Sequence, residues 1–161
     1  MGESVHSFRV LGNPVPQGSM RAFLVKGRPI LTSTSKNLKE WRNLIAGEAQ
    51  NYLREQVVED CWNTSGFYSY TEPVGVTAKF YFARPKSHLK KSGELTKSAP
   101  RSKHSKPDVD KLARAVLDAL TGVFFEDDSH VVQLTVLKEY AEPGNGPGLE
   151  IQIGRHDRTS K

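Results

Sequence analysis

Residues 106–122 read KPDVDKLARAVLDALTG, and the acidic triplet EDD follows at residues 126–128. The first stretch has the three- and four-residue apolar spacing of a short helix, carried by Leu112, Val116, Ala119 and Leu120. We expect this helix to begin at about Asp110 and to end before Gly122, which suits the left-handed position after a helix. Beyond the triplet, period-two alternation predicts a strand through Val132, Leu134, Val136 and Lys138.

Two segments extend this pattern toward the N-terminus. Residues 74–82 (VGVTAKFYF) alternate between apolar and other residues, which is typical of a strand with one buried face. An amphipathic helix is predicted by apolar residues at Leu38, Trp41, Ile45, Ala49, Tyr52 and Leu53. Asn37 and Glu40 have the spacing of a capping box at its start.

Shorter strand signals occupy the two ends of the chain. Residues 8–11 form the first, and residues 22–25 and 29–31 flank a glycine that suits a hairpin turn. Residues 149–153 follow a Gly-rich turn and form the last. The element order is then βββαβαββ. We expect an α/β (α+β) fold, a single domain over residues 1–161 with two helices packed on a mixed or antiparallel sheet.

Composition limits the class of protein. A chain of 161 residues fits one domain, and its mean hydropathy of −0.53 comes with no apolar run long enough to span a bilayer. Residues 1–10 lack the basic and apolar regions of a secretory signal, so we expect a soluble cytoplasmic protein with no membrane partner. Cys61 is the single cysteine and is interpreted as a packing residue, because it has no partner for an internal disulfide.

The net charge of +5 is concentrated in one segment. Residues 84–106 contain eight Lys or Arg and one acidic residue, a net charge of +7, and almost no apolar periodicity. This composition predicts a mobile basic loop suited to polyanions; a solvated linker without a partner is the alternative. The candidate DNA-binding residues are Lys86, Lys90, Lys91, Lys97, Arg101, Lys103, Lys106 and, outside the segment, Lys111.

The aspartates around the short helix are the candidate metal ligands. Alternate residues share a face only in an extended segment, and Pro107 disfavours helix at Lys106, so Asp108 and Asp110 can point to one site if the helix begins after them. Asp127 and Asp128 open the next strand and point to opposite faces. One of them can join the pair, and we choose Asp128. Two or three carboxylates suit Mg²⁺, which takes oxygen ligands.

Each aspartate also has a structural explanation. Asp110 alone is compatible with a helix cap, and Asp127-Asp128 with a solvated turn before a strand. Taken together, however, several ionised carboxylates close to one short helix would repel one another without a cation. Asp118 lies far along the helix from Asp110, and for it we favour a structural role. The five histidines show no zinc-ligand pair, and no Gly-Lys-Ser/Thr loop for nucleotide phosphates is present.

The stretch from Lys106 to Tyr140 resembles the RusA family of Holliday junction resolvases. The resemblance rests on a basic residue before Asp-x-Asp at the start of a helix, on Asp-Ala-Leu-Thr-Gly at residues 118–122, and on Asp-Asp before a strand. A fainter likeness occurs at Pro14-Val15-Pro16-Gln17-Gly18, so nearly the whole chain aligns in order. The segment at residues 84–106 is the poorest part of the match.

The resemblance implies a homodimeric endodeoxyribonuclease that cleaves four-way DNA junctions in recombination and repair with Mg²⁺, for which Mn²⁺ can substitute. The family's metal-binding aspartates fall on Asp108, Asp110 and Asp128, and Asp127 matches an acidic neighbour of lesser importance. The family's active-site lysine falls on Arg114, which keeps the charge but not the geometry. Lys111 stands where the family usually has asparagine, so here a cation lies beside the carboxylates.

Metal-assisted phosphodiester hydrolysis is therefore the function that the sequence favours, with Asp108, Asp110, Asp128 and Arg114 as the catalytic set. Two alternatives stay open. A metal nuclease acting on flaps or single strands would use the same carboxylates. A non-catalytic DNA-binding module would need the basic segment and not the aspartates.

Overall fold

The computed structural model describes residues 5–18, 20–33, 37–59 and 72–156. Within these ranges the elements follow the predicted order βββαβαββ. They are β1 (His6–Leu11), β2 (Met20–Val25), β3 (Arg28–Ser33), α1 (Leu38–Glu59), β4 (Val74–Phe82), α2 (Val109–Leu120), β5 (Val131–Tyr140) and β6 (Gly148–Arg155). The expected α+β fold is confirmed. Cys61, interpreted above as a packing residue, lies outside the described residues.

The main sheet has four strands in the order β1-β6-β4-β5. Strands β4 and β5 are parallel, whereas β6 runs antiparallel to both β1 and β4, so the sheet is mixed. Strands β2 and β3 form a separate antiparallel hairpin. Its turn has positive φ at Lys26 (51°) and Gly27 (75°), as the glycine in the sequence predicted.

The core lies between one face of this sheet and the two helices. Alternate residues of β4 and β6 are buried, and the apolar residues of α1 join them in one hydrophobic cluster. Helix α1 itself contacts α2 and β1. Trp41 and Ile45 of α1 are 3% and 0% exposed, as an amphipathic helix requires. The opposite, partly exposed face of β4 carries Thr77, Lys79 and Tyr81. Helices α1 and α2 therefore cover the buried face of the sheet, opposite these three residues.

Helix α2 begins earlier than the sequence suggested. Its N-cap is Asp108, in an extended conformation (φ −72°, ψ 143°), and Val109 is its first residue. The observed start is thus one residue earlier than the predicted start at about Asp110, and the N-cap position is occupied by Asp108 and not by Asp110. Asp108 and Asp110 are both of a residue type that suits the N-cap. The extended conformation ends at Asp108, which comes first in the chain, so the helix begins directly after it. As a result Asp110 lies in the first helical turn.

The end of α2 leads to the acidic triplet through buried residues. Thr121 donates from its backbone N–H and its Oγ1 to the Leu117 carbonyl, at 3.0 and 2.8 Å. Gly122 then takes φ 81°, as predicted. Phe124 and Phe125 are fully buried after it. This buried connection sets where Asp127 and Asp128 emerge.

The basic segment at residues 84–106 is attached to the sheet at both ends. Arg84 donates to the carbonyls of Ala141 and Pro100, at 2.9 and 2.8 Å. Near the other end, the Lys103 N–H donates to Lys138 and the Tyr140 N–H to the Arg101 carbonyl. The segment thus pairs with the edge of β5 over a few residues, and it is not free of the sheet along its whole length. Sequence reasoning missed this because the partners are backbone groups of a distant strand; mobility between the two attachments stays a prediction.

The helices of the described residues include none with the length and apolar character that crossing a membrane demands.

Candidate active site

A cavity of about 510 Å³ lies against the exposed face of α2. Asp110 and Arg114 line the α2 side of the cavity; they are four residues apart and so share one face of the helix. Asp128, just before β5, lines the cavity as well. The remaining lining residues are Gln17, Gly18, Lys111, Ala113, Leu117 and Leu134. Asp110, Arg114 and Asp128 are all exposed side chains. The cavity therefore combines two carboxylates from separate elements with two cationic side chains.

Asp108 lies in a neighbouring cavity of about 470 Å³. Lys106 and Pro107 line it from the same segment, and Pro14 and Pro16 from the loop after β1. Gln17, Gly18 and Lys111 line both cavities, so they form the boundary between them.

Lys111 is paired with Asp108 across one helical turn. Its Nζ lies 3.4 Å from Asp108 Oδ2, and both side chains are substantially exposed. An exposed pair of this kind contributes little to stability. A cation therefore lies beside a candidate metal ligand.

Asp127 and Asp128 have different surroundings, although they are adjacent. Asp127 is the N-cap of a one-turn 3₁₀ helix over Asp128–His130, and its side chain accepts a hydrogen bond from the Ser129 N–H at 2.8 Å. Hydrogen bonding with the Ser129 side chain, and then with the Ser129 N–H, lowers the pKa of the Asp127 carboxyl. Asp128 lines the first cavity, which Asp127 does not. The geometry thus separates a capping carboxylate from one available to a ligand.

The predicted ligand set is only partly assembled. In the described part of the chain, no three His, Cys, Asp or Glu side chains lie close enough together to hold a metal ion. The extended pair expected at Asp108 and Asp110 is not formed either, because Asp108 occupies the N-cap position, with no capping hydrogen bond from its side chain, and Asp110 lies within the helix. Asp110 and Asp128 nevertheless supply two oxygen donors to one cavity. That donor set fits Mg²⁺, which usually keeps waters and takes one or two carboxylates besides substrate phosphate.

The segment that leads into Asp108 is held by β5. Lys138 Nζ donates to the carbonyls of Ser105 and Pro107, at 2.9 and 2.7 Å. These two bonds fix the backbone immediately before the N-cap of α2. In the sequence, Lys138 is part of the period-two alternation of β5, and that pattern gives no indication of this contact.

Two residues at the site were missed by sequence reasoning, namely Gln17 and Arg42. The Gln17 N–H donates to the Lys111 carbonyl at 3.0 Å, and its Oε1 accepts from Arg42 Nη2 at 2.6 Å. The same nitrogen lies 2.6 Å from Asp118 Oδ2, which agrees with the structural role favoured for Asp118. The likeness at Pro14–Gly18 was a signal for Gln17. Arg42 occupies an ordinary polar position of α1 and gave none.

The candidate DNA-binding residues divide into two groups. Lys106 and Lys111 line the Asp108 cavity. The other six lie on the attached segment away from both cavities, and three of them contact protein groups. Lys90 pairs with Glu94 at 3.4 Å, Arg101 with Glu139 at 3.3 Å, and Lys103 Nζ lies over the rings of Phe82 and Tyr140. The side chains of Lys86, Lys91 and Lys97 are exposed and form no ion pair with a described residue.

This arrangement, an α+β fold with carboxylates and cations around one helix face, is compatible with a metal-dependent nuclease. Comparison with known proteins gives a family. The family model described as Endodeoxyribonuclease RusA matches residues 12–154. The chain therefore belongs to the RusA family of endodeoxyribonucleases, as its sequence motifs predicted. It is also 32% identical over 148 residues to "Uncharacterized protein YqaN" of Bacillus subtilis (strain 168), a match covering 91% of this chain and 93% of the relative.

Proposed function

We propose that this protein is a Mg²⁺-dependent endonuclease that resolves four-way DNA junctions and other branched DNA by paired phosphodiester hydrolysis. The observation that carries the proposal is the shared cavity of Asp110 and Asp128, with Lys111 and Arg114 on its wall, in a chain of an endodeoxyribonuclease family. Two carboxylates for a hard cation and two cations for a phosphate are the groups that this chemistry needs.

Asp110 and Asp128 would hold the metal ion, and Asp108 would join them from the neighbouring cavity. When bound, Mg²⁺ or Mn²⁺ supplies a Lewis acid and lowers the pKa of a bound water. The Asp108–Lys111 pair is exposed and therefore weak, so Asp108 is not committed to it. Asp127 is exposed and adjacent to Asp128, and it is the accessory candidate for orienting water.

Arg114 and Lys111 would bind the scissile phosphate and stabilise the charge that develops on it. Both line the cavity with the two carboxylates, and neither is buried. The guanidinium presents donors in a planar fork that matches two phosphate oxygens. Arg114 therefore has the chemistry to replace the family's lysine.

Junction binding would depend on the basic segment and on a second copy of the chain. A four-way junction has approximate two-fold symmetry, so an isologous homodimer brings one active site to each of two cuts. The exposed lysines at residues 86, 91 and 97 would contact phosphates of the arms. We place this activity in DNA recombination and repair in the cytoplasm.

A comparison of substrates tests the proposal. Four-way junction, flap, single-stranded and linear duplex DNA of matched length are incubated with the protein in Mg²⁺, in Mn²⁺ and in EDTA. We expect paired, metal-dependent cuts in the junction and little cutting of linear duplex. Preferred cutting of flaps or single strands would make the protein a different nuclease, and binding without cutting of any substrate would make it a DNA-binding module.

A further inference from the structure

We propose that the side-chain amide of Gln17 donates hydrogen bonds to a DNA phosphate in the active site, and that Arg42 is the positioning residue that turns the amide toward it. The inference rests on the proposed nuclease function and adds a substrate contact to it. Gln17 is one of the residues that line both the Asp110–Asp128 cavity and the Asp108 cavity. A phosphate that lies between the two cavities would therefore lie beside the Gln17 side chain.

The backbone of Gln17 is fixed to helix α2. Its N–H donates to the Lys111 carbonyl at 3.0 Å. Lys111 lies in the first turns of α2, close to both Asp108 and Asp110, and also lines both cavities. The bond therefore sets Gln17 at a constant position relative to the candidate metal ligands and phosphate-binding cations.

The orientation of the Gln17 amide follows from the chemistry of Arg42. A guanidinium is only a donor, so the group that it contacts at 2.6 Å must be the amide oxygen and not the amide nitrogen. With Oε1 directed to Arg42, the two N–H donors of Nε2 are turned away from it. Gln17 is half-buried and lines both cavities, and the proposal assigns the Nε2 donors to the side that faces them.

Arg42 is held in turn by Asp118 of α2. Its Nη2 lies 2.6 Å from Asp118 Oδ2, and the two side chains are 33% and 36% exposed. At this exposure the ion pair contributes little to stability. Its effect is to direct the guanidinium from α1 toward Gln17, and it connects α1, α2 and the loop after β1.

Phosphate is the ligand that suits these donors. A phosphate oxygen is an acceptor with negative charge, and the cavity already contains Arg114 and Lys111 as cationic donors. An amide adds two donors without adding a charge. It can therefore bind phosphate close to Asp110 and Asp128 without competing electrostatically with a bound cation.

Gln17→Glu is the discriminating variant. Glutamate has almost the same shape and strengthens the pairing with Arg42, but it replaces the amide donors by an acceptor oxygen with negative charge. We expect the thermal unfolding midpoint to be unchanged or raised. Junction affinity, measured with Ca²⁺ in place of Mg²⁺, should fall about 10- to 100-fold, and KM should rise with it, because a hydrogen bond to a charged group is removed. Wild-type binding and cutting by this variant would overturn the proposal. Because the new charge also repels phosphate without any direct contact, a loss in this variant counts for the proposal only together with a loss in an uncharged variant.

Gln17→Met is the second variant, because it keeps the chain length with neither donor nor charge. It should weaken junction binding in the same direction as Gln17→Glu. Wild-type affinity in both variants would exclude a phosphate contact, whatever the thermal stability of either.

The role of Arg42 is tested by a double-mutant cycle. Arg42→Ala should weaken binding nearly as much as Gln17→Ala, and the double variant should be no weaker than Gln17→Ala alone. Arg54→Ala, an exposed arginine of the same helix, is the matched control and should leave binding unchanged. Strictly additive losses would show that Arg42 does not act through Gln17.

The wild-type protein separates failure of this inference from failure of the proposed function. If it neither binds nor cuts branched DNA, the nuclease proposal fails and the Gln17 contact fails with it. If it does both and the Gln17 variants match it, only the contact is refuted.

Discussion

Arg114 illustrates how residue type and position combine at this site. It projects from α2 one turn after Asp110, and it lines the same cavity as Asp128. The residue before it, Ala113, is 6% exposed, whereas Arg114 is exposed, so the helix buries one face and offers the other to ligands. A change at Arg114 should therefore affect phosphate binding and not the core.

Arg114→Ala is predicted to lower the rate of junction cutting about 10²- to 10³-fold, the usual cost of removing a donor that stabilises developing charge. The thermal midpoint should stay within the error of the wild type. Arg114→Lys should retain part of the activity, because a point charge replaces a planar fork. Single-turnover cleavage at saturating protein measures both, and wild-type rates for Arg114→Ala would remove this residue from the active site.

Strand β6 shows a packing constraint at the scale of an element. At Gly148, where β6 begins beside β1, a Cβ would lie 2.6 Å from the Val10 carbonyl oxygen. The partner is backbone within a hydrogen-bonded pair of strands, so it cannot move aside as a flexible side chain would. Glycine is required there for close approach of the two strands.

Gly148→Ala is predicted to lower the free energy of unfolding by about 1–3 kcal/mol, the range of an overpacked core position. Gly146→Ala, two residues earlier, is the control, because a Cβ there would meet no atom within 4 Å and φ is not positive. Urea unfolding measures the difference. Equal midpoints for the two variants would show that β1 and β6 are not packed this closely.

In the basic segment at residues 84–106, the residues that attach it to the sheet differ from the exposed lysines that carry much of its charge. Arg84 and Lys103 hold it to the sheet through hydrogen bonds and through the ring of Tyr140, so they serve the fold. The exposed lysines at residues 86, 91 and 97 do not take part in these attachments. They can be changed without releasing the segment.

Replacement of Lys86, Lys91 and Lys97 by Gln is predicted to weaken junction binding and to reduce the slope of log affinity against log salt by up to about 3, one unit for each phosphate that is no longer neutralised. The fold should be unaffected. A salt titration of junction affinity measures the slope. An unchanged slope and affinity would mean that the segment does not bind DNA.

At the scale of the whole molecule, local patterns predicted the element order, and long-range contacts could not be predicted. The alternation of residues 74–82 and the apolar spacing of α1 depend on neighbours in the chain, and both predictions are confirmed. The first residue of α2, Val109, lies one residue before the predicted start at about Asp110, because an aspartate suits the N-cap position at either 108 or 110. The bonds of Gln17 with Arg42 and Lys111 join residues 25 and 94 positions apart. No local pattern encodes them.

The candidate site was predicted in the same uneven way. The sequence indicated Asp110 and Asp128 because several acidic residues cluster around one short helix, and the family resemblance indicated Arg114; all three line one cavity. It did not indicate how Asp108 is oriented, since that depends on the cap of α2 and on the bonds from Lys138. The homodimer likewise stays a prediction, because the structure of a single chain does not show which surface contacts a second copy.

The measurement that tests the account most directly is junction cutting by Asp110→Asn and Asp128→Asn under conditions where the junction is fully bound. Asparagine keeps the shape of each side chain but removes the charge that a hard cation requires. We predict that both variants bind the four-way junction as the wild type does and fail to cut it in Mg²⁺, while Glu126→Gln, an exposed neighbour, cuts normally. Normal cutting by the two aspartate variants would contradict a metal-dependent active site in this cavity.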